Sequence, residues 1–307
     1  MLVLLNSRAG RGRAGELWRR VRPEVEARLG ALDTADVASP ESVTRSVSAA
    51  LAAGERVFIA AGGDGTVNSV AGALLRAGAG SDAAMGAVGL GSSNDFHKTP
   101  TPGKRLCGLP VRIDCSSARP QDVIRIELEN EGGERELRYA VMNASLGITA
   151  EANARFNSAS ALVSAAGRLS MNAAIVASVI ETLVAFRDVP CRIRIDDGDE
   201  TAFSVSNLGV VKNPHFAGTF CYDTAIEPDD GQLGVNLCER LNAFQALATL
   251  AALSRRKFEG RPKTRTWSAT RVRVDSERTF ALETDGEVTE ARGVSFEVLP
   301  RALRCCA

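Results

Sequence analysis

The stretch Phe58-Ile-Ala-Ala-Gly-Gly-Asp-Gly-Thr-Val-Asn68 decides the reading of this chain. A short apolar run, of the kind that forms a buried strand, ends in Gly62-Gly63-Asp64-Gly65-Thr66 and passes at once into a helical segment, Val67–Ala77. Glycines at a strand-to-helix turn let the backbone approach a ligand closely and adopt positive φ. The helix N-terminus that follows offers free N–H groups and partial positive charge, which suit phosphate. A carboxylate at Asp64 is out of place beside a phosphate unless a Mg²⁺ lies between them. No Gly-Lys-Ser/Thr closes the turn, so it is not a Walker A loop, and the Gly-x-Gly-x-x-Gly spacing of a dinucleotide fingerprint is missing. The same residues also fit an ordinary βα turn capped by Asp64.

Around this turn, residues 1–110 alternate strand and helix signals. Met1–Leu5, Val57–Ala61 and Ala84–Leu90 read as strands, and Ala14–Leu29 and Pro40–Ala53 as helices. That rhythm predicts a parallel sheet covered by helices, with the Asn6, Gly62 and Gly91 loops leaving its carboxyl edge toward one site. After Pro110 the pattern changes to strands separated by Gly-, Asp- and Asn-rich turns. They are Val111–Asp114, Gln121–Glu129, Glu136–Ser145, Cys191–Ile195, Phe203–Val211, Gly234–Cys238, Thr264–Asp275 and Thr279–Glu283. Helical insertions are expected over 164–187 and Ala243–Leu253. The fold expected is α/β: a three-layer nucleotide-binding domain over 1–110, with the tail 295–307 returning to it, and an antiparallel β-sandwich over 111–294.

Five short blocks in order make the chain resemble the diacylglycerol kinase catalytic-domain family, which includes bacterial lipid kinases and sphingosine kinases. Besides Gly62–Thr66, these are Asn6-Ser-Arg-Ala-Gly10, Gly89-Leu-Gly-Ser-Ser-Asn-Asp-Phe96, Glu227-Pro-Asp-Asp-Gly-Gln-Leu-Gly-Val235 and Thr284-Asp-Gly-Glu287. Ser7 stands where the family has proline, and Ser69 where it has glutamate. The resemblance implies ATP and Mg²⁺ as cofactors. It implies a nucleotide site made of Asn6, Gly62, Gly63, Asp64, Gly65, Thr66, Asn68, Ser92, Asn94 and Asp95, with Asp64 central to the Mg-ATP complex. It makes Glu287 the general base that takes the proton of a lipid hydroxyl, a role open to any carboxylate within hydrogen-bond reach. It also implies a structural Mg²⁺ on Asp230, the carbonyl of Gln232 and Glu227, linked through water to Asp114. Several of these positions have plainer readings: Asn94-Asp95 as a helix cap, Asp230-Gly231 as a turn, and Asp285-Gly286 as a two-residue hairpin turn that could itself present Glu287. His97 and His215 read as packing and loop residues.

Of the 307 residues, 45% are hydrophobic and 5% aromatic, which supports a real aliphatic core and argues against disorder. A formal net charge of zero excludes a global field for nucleic acid. Local basic clusters stand out at Arg8–Arg22 and Arg255–Arg273 and suit nucleotide phosphates or anionic headgroups. The seven cysteines show no metal spacing and suit a reducing cytoplasm, and the pair Cys305-Cys306 reads as incidental. No signal peptide or membrane-spanning run is apparent. The expectation is a cytoplasmic lipid kinase that acts transiently at the inner face of the membrane on diacylglycerol, ceramide or a sphingoid base, with homodimerisation possible. The competing readings are a kinase of a soluble acceptor such as NAD, and a catalytically weak nucleotide- or lipid-binding regulator.

Overall fold

The computed structural model describes residues 1–99, 103–158, 181–183 and 186–307, so most of the helix expected over 164–187 lies outside the described residues. Two compact units divide the chain. The first comprises Met1–Val123, Pro228–Asp230 and Leu299–Ala307, and the second Ile124–Glu227 and Gly231–Val298.

In the first unit, β1 (Leu2–Leu5) pairs in parallel with β2 (Asp33–Asp36) on one side and β3 (Val57–Gly62) on the other. Strand β3 pairs in parallel with β4 (Ala84–Gly89) over its whole length, Val57 opposite Ala84 and Gly62 opposite Gly89. Their residues are apolar throughout and almost entirely buried, as a sheet covered on both faces requires. Helix α2 (Ala14–Leu29) turns Ala14, Trp18, Val21 and Val25 inward at helical spacing. Helix α3 (Pro40–Ala52) is capped by Ser39, which accepts from the Ser42 N–H, and has Pro40 in its first turn. Ahead of α2, the short turn α1 (Ala9–Gly12) is distorted by positive φ at Gly10 and Arg11.

Strand β6 (Leu109–Arg112) turns back from β5 (Lys104–Leu106) to pair antiparallel with β4, which keeps this segment in the first unit. The chain's last residues join this sheet: Arg304 and Cys305 pair in parallel with Ala84 and Met85. Asp114 and Ala307 exchange backbone hydrogen bonds of 3.0 and 3.1 Å. This return corrects the reading of the cysteines, because Cys306 is disulfide-bonded to Cys115, 191 residues away in sequence. Strand pairing made the two neighbours, and sequence spacing could not show it.

The second unit is antiparallel. Strand β11 (Thr201–Val211) pairs with β10 (Val189–Ile195), β9 (Asn143–Gly147) and β14 (Leu233–Glu239), and β14 with β15 (Thr264–Ala269). Strand β16 (Arg271–Thr284) pairs with β10, with β9 and with the first part of β17 (Glu287–Cys305). Strands β7 (Arg119–Glu129) and β8 (Arg135–Ala140) form a hairpin, with Ile124 opposite Ala140. Alternate residues point into one core, among them Ile124, Ile126, Leu146, Ile193, Leu208, Val235, Val272, Val274 and Phe296.

Two strands expected to be continuous are broken. Glu136–Ser145 divides at Val141-Met142, and Thr264–Asp275 at Thr270. At each break, backbone N–H groups bond an aspartate instead of a strand: Asp285 takes Val141 and Met142, and Asp196 takes Thr270 and Arg271. The chain between β9 and β10 begins with α5 (Ile148–Ser158), and α6 spans Ala243–Leu253 as expected.

Candidate active site

The carboxyl ends of β1, β3 and β4 bring three loops together in the first unit. The Asn6 N–H donates to the Ala61 carbonyl at 2.9 Å, and the Leu90 N–H to the Gly62 carbonyl at 2.7 Å. The loops are packed so closely that side chains are excluded. A Cβ on Gly91 would lie 2.5 Å from the Gly63 Cα, and one on Gly10 2.6 Å from the Leu90 carbonyl oxygen. Glycine is therefore required by the approach of one loop to another.

Helix α4 (Asp64–Arg76) starts in this cluster, with Asp64 in its first turn and Gly63 as its N-cap. The Asp64 side chain makes no cap bond to its own helix. It reaches across and accepts from the Phe96 N–H at 3.1 Å, at the start of the 3₁₀ turn Asp95–Lys98. Burial and the neighbouring Asp95 carboxylate push Asp64 up to about 6. Asp95 is buried and ion-paired with Lys98. The two carboxylates are near enough to influence each other, and such a pair is a donor set suited to a hard divalent cation.

Asn6 and Thr66 meet at the same place, where Asn6 Nδ2 donates to Thr66 Oγ1 at 3.4 Å. Asn68 Oδ1 is buried and accepts from no donor among the described residues. Gly65 and Ser92 are exposed. Asn94 sits in the left-handed region at φ 50° and folds back on its own loop, accepting from the Gly91 N–H at 3.1 Å and donating to the Gly91 carbonyl at 3.0 Å. Its amide therefore shapes the loop. Ser69, in the position of the family's glutamate, donates to the Gly65 carbonyl at 2.8 Å. His97 is buried, and burial together with Arg112 and Arg105 pushes it down to about 3, so it is neutral at physiological pH, as a packing residue should be.

Two family models cover nearly all of this fold. One, described as the diacylglycerol kinase catalytic domain, matches residues 1–126. The other, the YegS C-terminal NAD kinase beta sandwich-like domain, matches residues 143–307. The chain belongs to the family that joins a diacylglycerol kinase catalytic domain to a YegS-type C-terminal domain. A curated relative from Serratia proteamaculans (strain 568), described as a probable YegS-like lipid kinase, is 28% identical over 85% of this chain and 79% of its own length. Among solved structures, a diacylglycerol kinase from Bacillus anthracis superposes with a TM-score of 0.67 at 15% identity, covering 99% of this chain and 95% of that one. A yeast NADH kinase superposes with a TM-score of 0.50 at 10% identity, over 100% of this chain and 82% of its own. At these identities the two structures show the fold alone.

The remaining site residues of this diacylglycerol kinase relative are distributed differently. Asp114 caps the 3₁₀ turn Cys115–Ser117 by accepting from the Ser117 N–H at 3.3 Å and from Ser116 Oγ at 2.6 Å, and these bonds lower its pKa. In the second unit, the carbonyls of Glu227 and Gln232 accept from Lys212 Nζ at 2.7 and 2.9 Å. The side chain of Asp230 is exposed.

Glu287 is exposed and opens β17, opposite Thr284 in the hairpin closed by Asp285 and Gly286 at φ 45° and 99°. Positive φ at both turn residues suits the right-handed twist of the flanking strands.

Sequence reading missed the acids behind this turn. Asp285 is buried and accepts from the N–H groups of Val141, Met142 and Asn143 at 2.8, 3.2 and 2.8 Å. Glu283 is buried and accepts from the Gly286 N–H and from Ser145 Oγ at 2.9 Å. Burial pushes Glu283 up to about 7 and Asp285 up to about 8, against the pull of these donors. The spacing Glu-Thr-Asp-Gly-Glu contains both acids, but only the broken strand opposite reveals what they hold.

Proposed function

We propose that this protein is an ATP-dependent lipid kinase that transfers the γ-phosphate to a primary hydroxyl of a membrane lipid. The observation that carries the reading is the Asp64 carboxylate at the start of α4, raised by burial and then by Asp95, and tied to the loop that bears Asn94. The resemblance to lipid kinases, including the curated relative from Serratia, supports a lipid as the acceptor.

Phosphoryl transfer requires positioning and charge neutralisation more than covalent chemistry from the protein. Asp64 and Asp95 would hold the Mg²⁺ of the nucleotide, which neutralises phosphate charge when bound. The exposed N-terminal end of α4, with Gly63 and Gly65, offers backbone N–H groups to phosphate oxygens, and the helix dipole adds positive potential. Asn68 Oδ1 is a buried acceptor for a nucleotide hydroxyl. Asn94 holds Gly91 against Gly63, so the two glycine loops stay in register as one cradle. Glu287 is the proposed base: its turn is anchored by Asp285 and Glu283, so the exposed carboxylate is borne on a rigid hairpin.

The test is incubation of the purified protein with labelled ATP, Mg²⁺ and a total lipid extract. Label is expected in the organic phase, in a product that identifies the acceptor. Label confined to water-soluble products would reject the lipid acceptor. ATP binding without turnover on any lipid would leave a regulator.

A further inference from the structure

We propose that the outer face of α6 is a docking surface for an anionic lipid bilayer. The helix has two apolar faces. Ala246, Thr249, Ala252 and Leu253 are buried and serve the core. Phe244 and Leu247, one turn apart, are 81% and 43% exposed, and Ala251 extends the same stripe by another turn. Single exposed apolar residues are ordinary, but a phenylalanine left in water at the head of an apolar stripe is not needed by any core.

Charge selects the occupant. From Arg240 through Phe258 the sequence contains no acidic residue. Arg240 precedes the helix, Arg255, Arg256 and Lys257 follow it, and all four are exposed. An apolar stripe with basic residues at both ends is the pattern of a helix that lies in the plane of a membrane, with headgroup phosphates meeting the cations and side chains entering the acyl boundary. A second copy of the chain fits less well. An isologous contact would set these cations against their own copies, and the stripe is far smaller than the ~800 Å² per partner of a stable interface. The helix is also pre-formed, because Asn242 and Gln245 cap it reciprocally at 2.8 and 3.1 Å, so docking requires no folding step.

The surface rests on the lipid-kinase reading only for its purpose, and the two can fail separately. The test is flotation of the full chain with phosphatidylcholine vesicles, with and without a third of phosphatidylglycerol. The parent protein should float with the anionic vesicles and be released by salt. Phe244→Ala with Leu247→Ala should weaken flotation on the order of tenfold or more, from two lost apolar insertions. Leu137→Ala, which removes another exposed apolar side chain, should leave flotation unchanged. Equal flotation of the double variant and the parent, or equal binding to neutral vesicles, overturns the proposal. So does a dimer in solution that the double variant abolishes. Vesicle binding without lipid phosphorylation would overturn the kinase reading alone. Phosphorylation of lipid in detergent with flotation unaffected by the double variant would overturn the docking surface alone.

Independently, we infer that the Lys212 ammonium is the resident cation of the 227–232 turn, in the place where the family resemblance puts a structural Mg²⁺. Lys212 is 1% exposed and lies at the end of β11. It donates to the carbonyls of Glu227 and Gln232, and the Gln232 carbonyl is one that the resemblance gives to the metal. A buried ammonium held by carbonyl oxygens supplies the positive charge that closes such a turn, and a divalent ion beside it would meet strong repulsion.

The test is thermal unfolding without nucleotide, in an Asp64→Asn background that silences the other acidic site. Tm should be the same in EDTA, Mg²⁺ and Ca²⁺, and Lys212→Met should lower it. A saturable rise of Tm with a divalent ion that Asp230→Asn removes would overturn the inference. A Lys212→Met protein as stable as its parent would do the same.

Discussion

The two acidic clusters of this protein are built alike and finished differently. In the first unit, Asp64 accepts from the Phe96 N–H and lies near enough to the Asp95 carboxylate for it to raise the Asp64 pKa, while Asp95 is ion-paired with Lys98. In the second, Asp285 is saturated by three N–H groups and Glu283 by a backbone N–H and a hydroxyl. Asp64 in the first and Glu283 and Asp285 in the second have raised pKa values, so a perturbed pKa alone does not separate function from architecture. Their places in the fold do: one lies at the start of a helix beside the glycine loops, the other behind a hairpin turn. The acids that bond the broken strand hold a turn in place, whereas Asp64 sits at the start of a helix beside a second carboxylate, where a bound cation would relieve the repulsion.

The strongest test of this contrast is Asp64→Asn. Turnover should fall by on the order of 10³ or more as the metal-holding charge is lost. Tm should hold or rise, because repulsion from Asp95 is relieved. Steady-state kinetics and calorimetry on the same protein read both, and a stability loss with activity intact would reverse the assignment. Glu287→Gln should lower kcat by on the order of 10²–10³ with the fold unchanged, the loss expected of a general base. A twofold loss would reduce Glu287 to a turn residue.

Asp285→Ala should act on stability. It leaves three N–H groups without their acceptor, and denaturant unfolding should show a loss of about 3 kcal/mol or more. The pH dependence has a definite sign. Glu283 and Asp285 have folded pKa values raised to about 7 and about 8, so the stability linked to them is fullest below their unfolded values near pH 4 and is lost as pH rises through 7 and 8. Asp64, raised to about 6, must ionise to hold a cation, so Mg-nucleotide affinity should fall about tenfold per pH unit below 6. Equilibrium binding at pH 5, 6 and 7 measures this smallest effect, and a flat profile would remove Asp64 from the metal.

Much of the fold was legible in the chain. The buried parallel strands β3 and β4 are continuous apolar runs, and α3 and α6 carry caps at their starts. Strand β2 was not legible: Asp-Thr-Ala-Asp is short and polar, and it is held by its backbone pairing with β1. The breaks at Val141 and Thr270 were hidden because the residues that end those strands, Asp285 and Asp196, are distant in sequence. Among the candidate site residues, Asp64 was found because its turn has a local pattern. Lys212 escaped notice, since a lysine after Leu-Gly-Val-Val reads as the solvated end of a strand.

The sequence by itself determined the local elements, the glycine turn with its aspartate and the family. Each is written in contiguous residues through periodicity, turn chemistry or short motifs. Only the tertiary structure decided which charges are already spoken for: Asp285 by the β8–β9 break, the Glu227 and Gln232 carbonyls by Lys212, and Cys306 by Cys115. A charge or thiol is satisfied by whatever the fold brings within about 3 Å, or within bonding reach for a disulfide, and those neighbours lie tens to hundreds of residues away along the chain.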